Sequence, residues 1–287
     1  MSRCTVKHGN IFTSLRQTLV NTVNCHGVMG AGIALEFKLR YPRMFTEYEN
    51  RCRDGEIRIG SLWLYKPIAE GRAAEPSRRP EDEKWVLNFP TKKHWRHPSR
   101  IEYLDRGLEA FLRKYRDMGI TSIAFPVLGA TNGRIPEDES LKIMKRHLEQ
   151  CEIPVEIYRY DPRARDDLYG RFKDALENRS DDEISRESGL RRHSVARIRE
   201  AVQREDINSL SRLAAVKGIG GRTLERSFSY LLAMKATPSE WEPEGEHASD
   251  LAAWSHRDGQ PHVDHIKQLG SPFLTRPAGH DPAGEEP

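Results

Sequence analysis

The sequence predicts a three-layer α/β/α fold with a mixed, mostly parallel sheet over residues 1–162, followed by a small all-α module. Three observations carry that prediction. Short apolar runs alternate with longer stretches whose apolar residues recur every three or four positions, the alternation of strands and helices that builds layered sheets. Two of the apolar runs lead straight into glycine-rich loops, at Gly27–Gly32 and Gly129–Gly133. From Asp181 onward the composition changes to short helical segments rich in Ser, Gly and Arg.

Taken in order, Thr5–Phe12 reads as an edge strand and a turn containing Asn10 and Ile11. Leu19–Val23 is a buried strand ending at Asn24, whose amide can hydrogen-bond a sugar hydroxyl. The chain then breaks at Gly27, Val28, Met29, Gly30, Ala31 and Gly32. It resumes as a helix through Ile33, Leu35, Phe37 and Leu39, until Pro42 stops it. Strand, glycine loop and helix in that order gather backbone N–H groups and a helix N-terminus around one point, which suits a phosphate. The G-x-x-G-x-G spacing is neither the dinucleotide fingerprint nor the P-loop, and no Lys-Ser/Thr follows it. On glycines alone, a tight strand–helix turn without a ligand fits equally well.

Pro42–Arg53 carries Met44, Tyr48 and Cys52 at helical spacing, and Ser61–Tyr65 is a strand. Residues 67–80 are rich in Pro, Glu and Arg and read as a surface loop. Trp85–Phe89 is the next buried strand. It ends in a segment where Thr91, Lys92, Lys93, Trp95, Arg96 and Arg100 mix base, aromatic and turn former. At the carboxyl end of a strand such side chains can meet a diphosphate or a nucleic-acid backbone, with Trp95 stacking on a base; a plain solvated charge run is the alternative. Ser99 is placed as the N-cap of a helix bearing Ile101, Leu104, Leu108, Phe111, Leu112 and Tyr115 on one face. Ser122–Val127 is a strand leading into the second loop, Gly129, Ala130, Thr131, Asn132 and Gly133. Glu137 opens a helix with Leu141, Met144 and Leu148 on one face, and Val155–Tyr160, alternating in and out, closes the sheet.

The run Val20-Asn-Thr-Val-Asn-Cys-His-Gly-Val-Met-Gly-Ala-Gly-Ile-Ala-Leu-Glu-Phe37 resembles the ligand loop of macrodomains, which bind ADP-ribose. Within them it is similar to the branch of DarG, the antitoxin that removes ADP-ribose from DNA, and of terminal ADP-ribose protein glycohydrolase. The resemblance covers roughly the first 160 residues. It implies an ADP-ribose site made by the two glycine loops, with Ile33 and Thr91 beside them. Macrodomains usually have Gly-Asp-Ile or Gly-Asp-Leu in the first turn, the Asp accepting from adenine's amine; Asn10 can accept the same bond without a charge. Phe89-Pro-Thr-Lys-Lys-His-Trp95 matches the branch's Phe-Pro-Thr-Lys-x-His-Trp, whose lysine is catalytic, and the matching residue is Lys92. The second loop departs from the pattern: Thr131, Arg134 and Pro136 stand where the branch usually has Gly, Gly and Asp. Glu137 and Asp138 lie just past the missing Asp, but they also suit the first turn of a helix.

Residues 163–180 read as a linker with a connecting helix, and 181–236 as the helical module. Within the module, Lys217-Gly218-Ile219-Gly220-Gly221-Arg222-Thr223 resembles the turn of a helix-hairpin-helix, which presents backbone N–H groups to a DNA phosphate. Ile184–Val202 is a weaker hairpin of the same kind. Between Arg186 and Lys235 eleven Lys or Arg face five Asp or Glu, although the whole chain carries only +3. That is the footprint of phosphate contact, not of sequence readout; a small helical packing domain with no DNA role is the alternative. Residues 237–287, rich in Pro, Glu, Gly and His, read as a largely disordered tail.

No apolar run approaches the ~20 residues that span a bilayer, and the start MSRCTVKHGN lacks a signal-peptide segment. Cys4, Cys25, Cys52 and Cys151 form no C-x-x-C pair, which argues against a disulfide or zinc framework and for a reducing cytoplasm. The expectation is an ADP-ribosyl glycohydrolase acting on DNA, lysine-dependent, without cofactor or metal; an ADP-ribosyltransferase toxin as its partner is implied by the resemblance alone. Two alternatives stand beside it: a non-catalytic ADP-ribose reader, and a hydrolase acting on protein or a small metabolite.

Overall fold

The computed structural model describes residues 3–67, 84–161, 163–164, 168–213 and 216–233. Most of the surface loop expected at 67–80 and all of the tail from 237 lie outside them. Six strands form one sheet: β1 (Cys4–Gly9), β2 (Thr18–Asn24), β3 (Trp63–Tyr65), β4 (Trp85–Lys92), β5 (Ile123–Pro126) and β6 (Val155–Tyr160), in the order β1-β6-β5-β2-β4-β3. Only β3 runs antiparallel, along β4. Helices α1 (Gly32–Arg40) and α2 (Pro42–Arg53) supply the core on one face, with Phe37, Met44 and Tyr48 against Leu19, Val23 and Val86. On the other face α3 (Ile101–Lys114) and α4 (Glu137–Leu148) bury Leu104, Leu108, Phe111, Met144 and Leu148 against Leu87, Phe89, Ile123 and Phe125. The three layers expected from the alternation are present.

Several boundaries differ from the sequence reading. β4 continues through Pro90 to Lys92 instead of ending at Phe89. On the β3 side the pairing starts only at Trp63 opposite Asn88, so no strand lies beside Pro90 there, while β2 continues along its other side with a register shift at Val23/Asn24. The extension carries Lys92 into register with Asn24. β6 does not close the sheet; β1 lies outside it. Nor does β6 alternate. Glu156 is 2% exposed, and its carboxylate accepts from Lys7 Nζ at 2.8 Å, Ser14 Oγ at 2.7 Å and Tyr158 O–H at 3.1 Å, with Arg16 at 3.0 Å.

Burial pushes the Glu156 carboxyl up, but Lys7, Ser14 and Arg16 outweigh it and hold the group below the usual carboxylate range. A depressed folded-state pKa stabilises above the unfolded value, about 4.3, and that stability is lost as pH falls through the folded one. Glu156→Gln is therefore expected to cost about 1–3 kcal/mol at pH 7, read by urea denaturation, and to flatten the acid side of the stability profile. An unchanged profile would make the network dispensable.

Five further helices follow: α5 (Tyr169–Asn178), α6 (Asp181–Ser188), α7 (Arg192–Ala201), α8 (Leu210–Leu213) and α9 (Gly221–Ala233). Ser180 caps α6 with a reciprocal Glu183 contact, and Gly189 ends it in the left-handed region. The segment expected as a connecting helix, α5, is part of this module's core. Its Phe172 and Leu176 are buried with Ile184, Val195, Ile198, Leu224, Phe228 and Leu231. The same cluster takes in Leu39 and the partly buried Leu35 of α1, and Lys38 pairs with Glu225 of α9 at 3.1 Å. The outer face of the helix that follows the first glycine loop is thus covered by α8 and α9.

Candidate functional site

Strands β5, β2 and β4 are neighbours, and all three are parallel, so their carboxyl ends lie side by side. β2 delivers the first glycine loop, β4 delivers Lys92, and β5 delivers the second loop. At the end of β2, Asn24 is only 7% exposed. Its oxygen accepts from His26 N–H at 2.8 Å and Val28 N–H at 3.4 Å, and its amide donates to the Val28 carbonyl at 2.5 Å. The side chain expected to meet a sugar is therefore occupied in shaping the loop. Tyr48 O–H fixes the same residue from below, donating to its carbonyl at 2.7 Å. Asn10 likewise caps the short 3-10 turn Ile11–Thr13, accepting from Phe12 N–H at 3.0 Å, while Ile11 is buried beneath it. Met29 is buried against the sheet and Val28 exposed, with Gly30 beside it and Ile33 partly buried in the first turn of α1.

Lys92 is the meeting point. Its Nζ donates to the carbonyl of Asn132 in the second loop. The Asn132 amide in turn lies 2.5 Å from where a Cβ on Gly32 would sit, so the two loops approach closely at a glycine whose φ of 57° also favours that residue. Partial burial lowers the Lys92 pKa, and the charge of Arg134 lowers it further. A larger share of neutral amine results, the form that can attack carbon. The cation responsible is Arg134, which follows the second loop. Thr91 is buried next to Lys92, and Gly129, Ala130 and Thr131 lead the second loop over it. Cys25 is no competing nucleophile, since burial pushes its thiol up to about 11 and it donates to the Lys92 carbonyl at 3.3 Å.

Glu137, the acid nearest the missing family Asp, pairs with Arg159, and Asp138 stands 3.8 Å from the same guanidinium. Both sit in the first turn of α4 together with Glu139, as the helix-start reading expects. Lys93, Trp95 and Arg96 are exposed at the rim. The Arg96 guanidinium lies 4.6 Å over the Trp95 ring, and the His94 ring stacks on that indole at 5.6 Å. His94 also meets His26 at 4.5 Å and His97 at 5.0 Å. These three histidines were missed, because one belongs to the first loop and two to the segment after β4. Among the described residues no group of His, Cys, Asp and Glu is arranged to hold a metal ion.

Residues 20–144 match the family described as Macro domain. These residues form a macro domain. A relative from Mycobacterium tuberculosis named DNA ADP-ribosyl glycohydrolase is 42% identical over 151 residues, which are 52% of this chain and 40% of the relative. A DNA ADP-ribosyl transferase-DNA ADP-ribosyl glycohydrolase fusion protein from Thermosipho africanus is 36% identical over 155 residues, with 52% of this chain and 40% of the relative covered. The solved macrodomain of Mycobacterium tuberculosis DarG is 40% identical and is matched over 54% of this chain and 97% of its own, with a TM-score of 0.48. This chain spans about two fifths of the length of these two relatives. The family match ends at residue 144, and α6–α9 lie outside it.

Proposed function

We propose that this chain releases ADP-ribose from DNA, with Lys92 as the catalytic residue. The observation that carries the reading is the Lys92 amine held at the junction of the two glycine loops by the Asn132 carbonyl. The amine attacks the anomeric carbon C1″, whose bond to the base breaks, and the base takes up a proton. Water then displaces the lysine, freeing ADP-ribose and restoring the amine. The names of the relatives support DNA as the substrate class. The fusion protein supports an ADP-ribosyltransferase as the functional partner, the antitoxin arrangement. The cytoplasm is the proposed compartment, in keeping with four cysteines that form no disulfide.

In this reading, helices α8 and α9 form a helix-hairpin-helix that holds the DNA backbone and raises its concentration near the macro domain. Supporting this, a Cβ at Gly220 or Gly221 would meet nothing within 4 Å, so backbone at the head of α9 is open to approach. Lys217, Gly218, Ile219, Arg222 and Thr223 flank that point. Lys217→Glu with Arg222→Glu is expected to weaken DNA binding and to lower the slope of log affinity against log salt by about 1–2. Constant affinity would assign the module to another ligand. The activity itself is tested by incubating the protein with ADP-ribosylated single-stranded DNA and with ADP-ribosylated protein and measuring free ADP-ribose. Release from DNA is expected. Retention without release would make the chain a reader, and release from protein alone would overturn the substrate.

A further inference from the structure

The second glycine loop presents Asn132 to Lys92. Just after it, Arg134 helps to wall a cavity of about 520 Å³ together with Ser99, Arg100, Glu102, Tyr103 and Glu139. The macro domain's ADP-ribose loops leave this cavity unassigned. It opens at the N-terminus of α3, a helix of 14 residues that has no side-chain cap. The first N–H groups of such a helix have no intrahelical acceptor and favour an anion. Ser99 was expected to cap it. Instead its backbone N–H donates to the Gly133 carbonyl at 2.9 Å. Its side-chain hydroxyl, on a residue only 7% exposed, has no hydrogen-bond partner. That hydroxyl packs against the Gly129–Gly133 loop, so the charged and aromatic side chains of the wall, not Ser99, face a ligand.

The charges define that ligand further. Arg100 and Arg134 favour a phosphate, while Glu102 and Glu139 oppose a bare one and can accept from the amino group of a base. Tyr103 offers a ring with Lys93 Nζ and the Arg100 guanidinium each 5.9 Å from its centroid. Arg134 is the only non-glycine among the described residues with a left-handed backbone, at φ 63°. It holds the second loop in the conformation that brings its side chain to this wall.

We propose that the cavity is a nucleotide subsite. It takes the unit next to the ADP-ribosylated nucleotide in a single strand, with the phosphodiester on Arg100, Arg134 and the head of α3 and the base on Tyr103. The inference rests on DNA being the substrate. It adds that the strand is held beside the chemistry by the macro domain itself, apart from the helical module.

The test compares affinities in the Lys92→Ala chain, which keeps the substrate whole. Its probes are an ADP-ribosylated single-stranded oligonucleotide, an ADP-ribosylated nucleoside without flanking phosphates, free ADP-ribose and inorganic phosphate. Arg100→Glu and Tyr103→Ala are each expected to weaken the oligonucleotide about tenfold, to leave the nucleoside and ADP-ribose unchanged, and to be rescued at position 103 by Tyr103→Phe. Equal losses on all probes, no loss on the oligonucleotide, or a loss with phosphate alone would overturn the subsite. A native chain that releases no ADP-ribose from DNA would overturn the proposed activity, while the oligonucleotide affinities would still decide whether the subsite exists.

Discussion

Lys92→Ala is expected to lower release of ADP-ribose from DNA by about two to four orders of magnitude, the span that a positioned catalytic side chain typically supplies. Binding of ADP-ribose should stay within a few-fold by calorimetry, because the loops that contact the ligand are held by other groups. Asn24 ties the first loop to itself through His26 and Val28, and Tyr48 anchors Asn24. The second loop is closed by Ile135 N–H on the Gly129 carbonyl at 3.0 Å and Arg134 N–H on Ala130 at 3.1 Å. Lys92→Arg should not rescue, since a guanidinium stays protonated and cannot attack carbon. In the native chain the rate should rise with pH as the amine loses its proton, levelling at a pH below the ordinary lysine value, because burial and then Arg134 depress it. Arg134→Gly removes the second of these causes, so the plateau should move to higher pH. A lysine variant that turns over normally would end the assignment, and a pH profile indifferent to Arg134 would end the account of its activation.

How far these features could be read from the sequence depends on how local their causes are. The first glycine loop was legible because its function is written in consecutive residues: an apolar run, an amide, three glycines and an amphipathic helix. Lys92 was legible by resemblance, but its position was not. In sequence the strand reads as Trp85–Phe89, short of Pro90, and only the start of β3 opposite Asn88 leaves that side of Pro90 unpaired. The alternation assigned to β6 failed at Glu156, since burial of that carboxylate depends on Lys7, Ser14 and Arg16, some 140 residues away. Ser99 has the residue type of a cap and sits one place too early, drawn off by Gly133. Arg134 was noted only as a departure from a pattern. Its effect on Lys92 is through space, across two strands' ends, and no spacing rule contains it. The packing of α1 on α8 and α9 was equally hidden, because Leu35 and Leu39 satisfy the helical periodicity whichever neighbour covers them.

Gly133→Ala should be the most damaging single methyl in the second loop. A Cβ there would lie 2.2 Å from the Gly129 carbonyl oxygen, 2.6 Å from its carbon and 2.5 Å from Ser99 Oγ. Two of those atoms are backbone and cannot swing aside. The loop must open, breaking either the Ile135–Gly129 bond or the Ser99–Gly133 bond that seats it on α3. Overpacking of this kind costs about 1–3 kcal/mol, visible as a lower Tm, and the displaced Asn132 carbonyl would no longer hold Lys92. Affinity for ADP-ribose and turnover should therefore fall together, unlike in Lys92→Ala, where they separate. The contrasting substitution is Gly30→Ala in the first loop. Its Cβ would touch only a Val28 methyl at 3.8 Å, an ordinary contact, so Tm should move little. Any loss of ligand in that variant then reports close approach of ADP-ribose to the backbone, the purpose the glycines were assigned from sequence. If Gly133→Ala kept its Tm and its affinity, the second loop would be free to move without consequence, and the Lys92–Asn132 contact could not be what positions the amine.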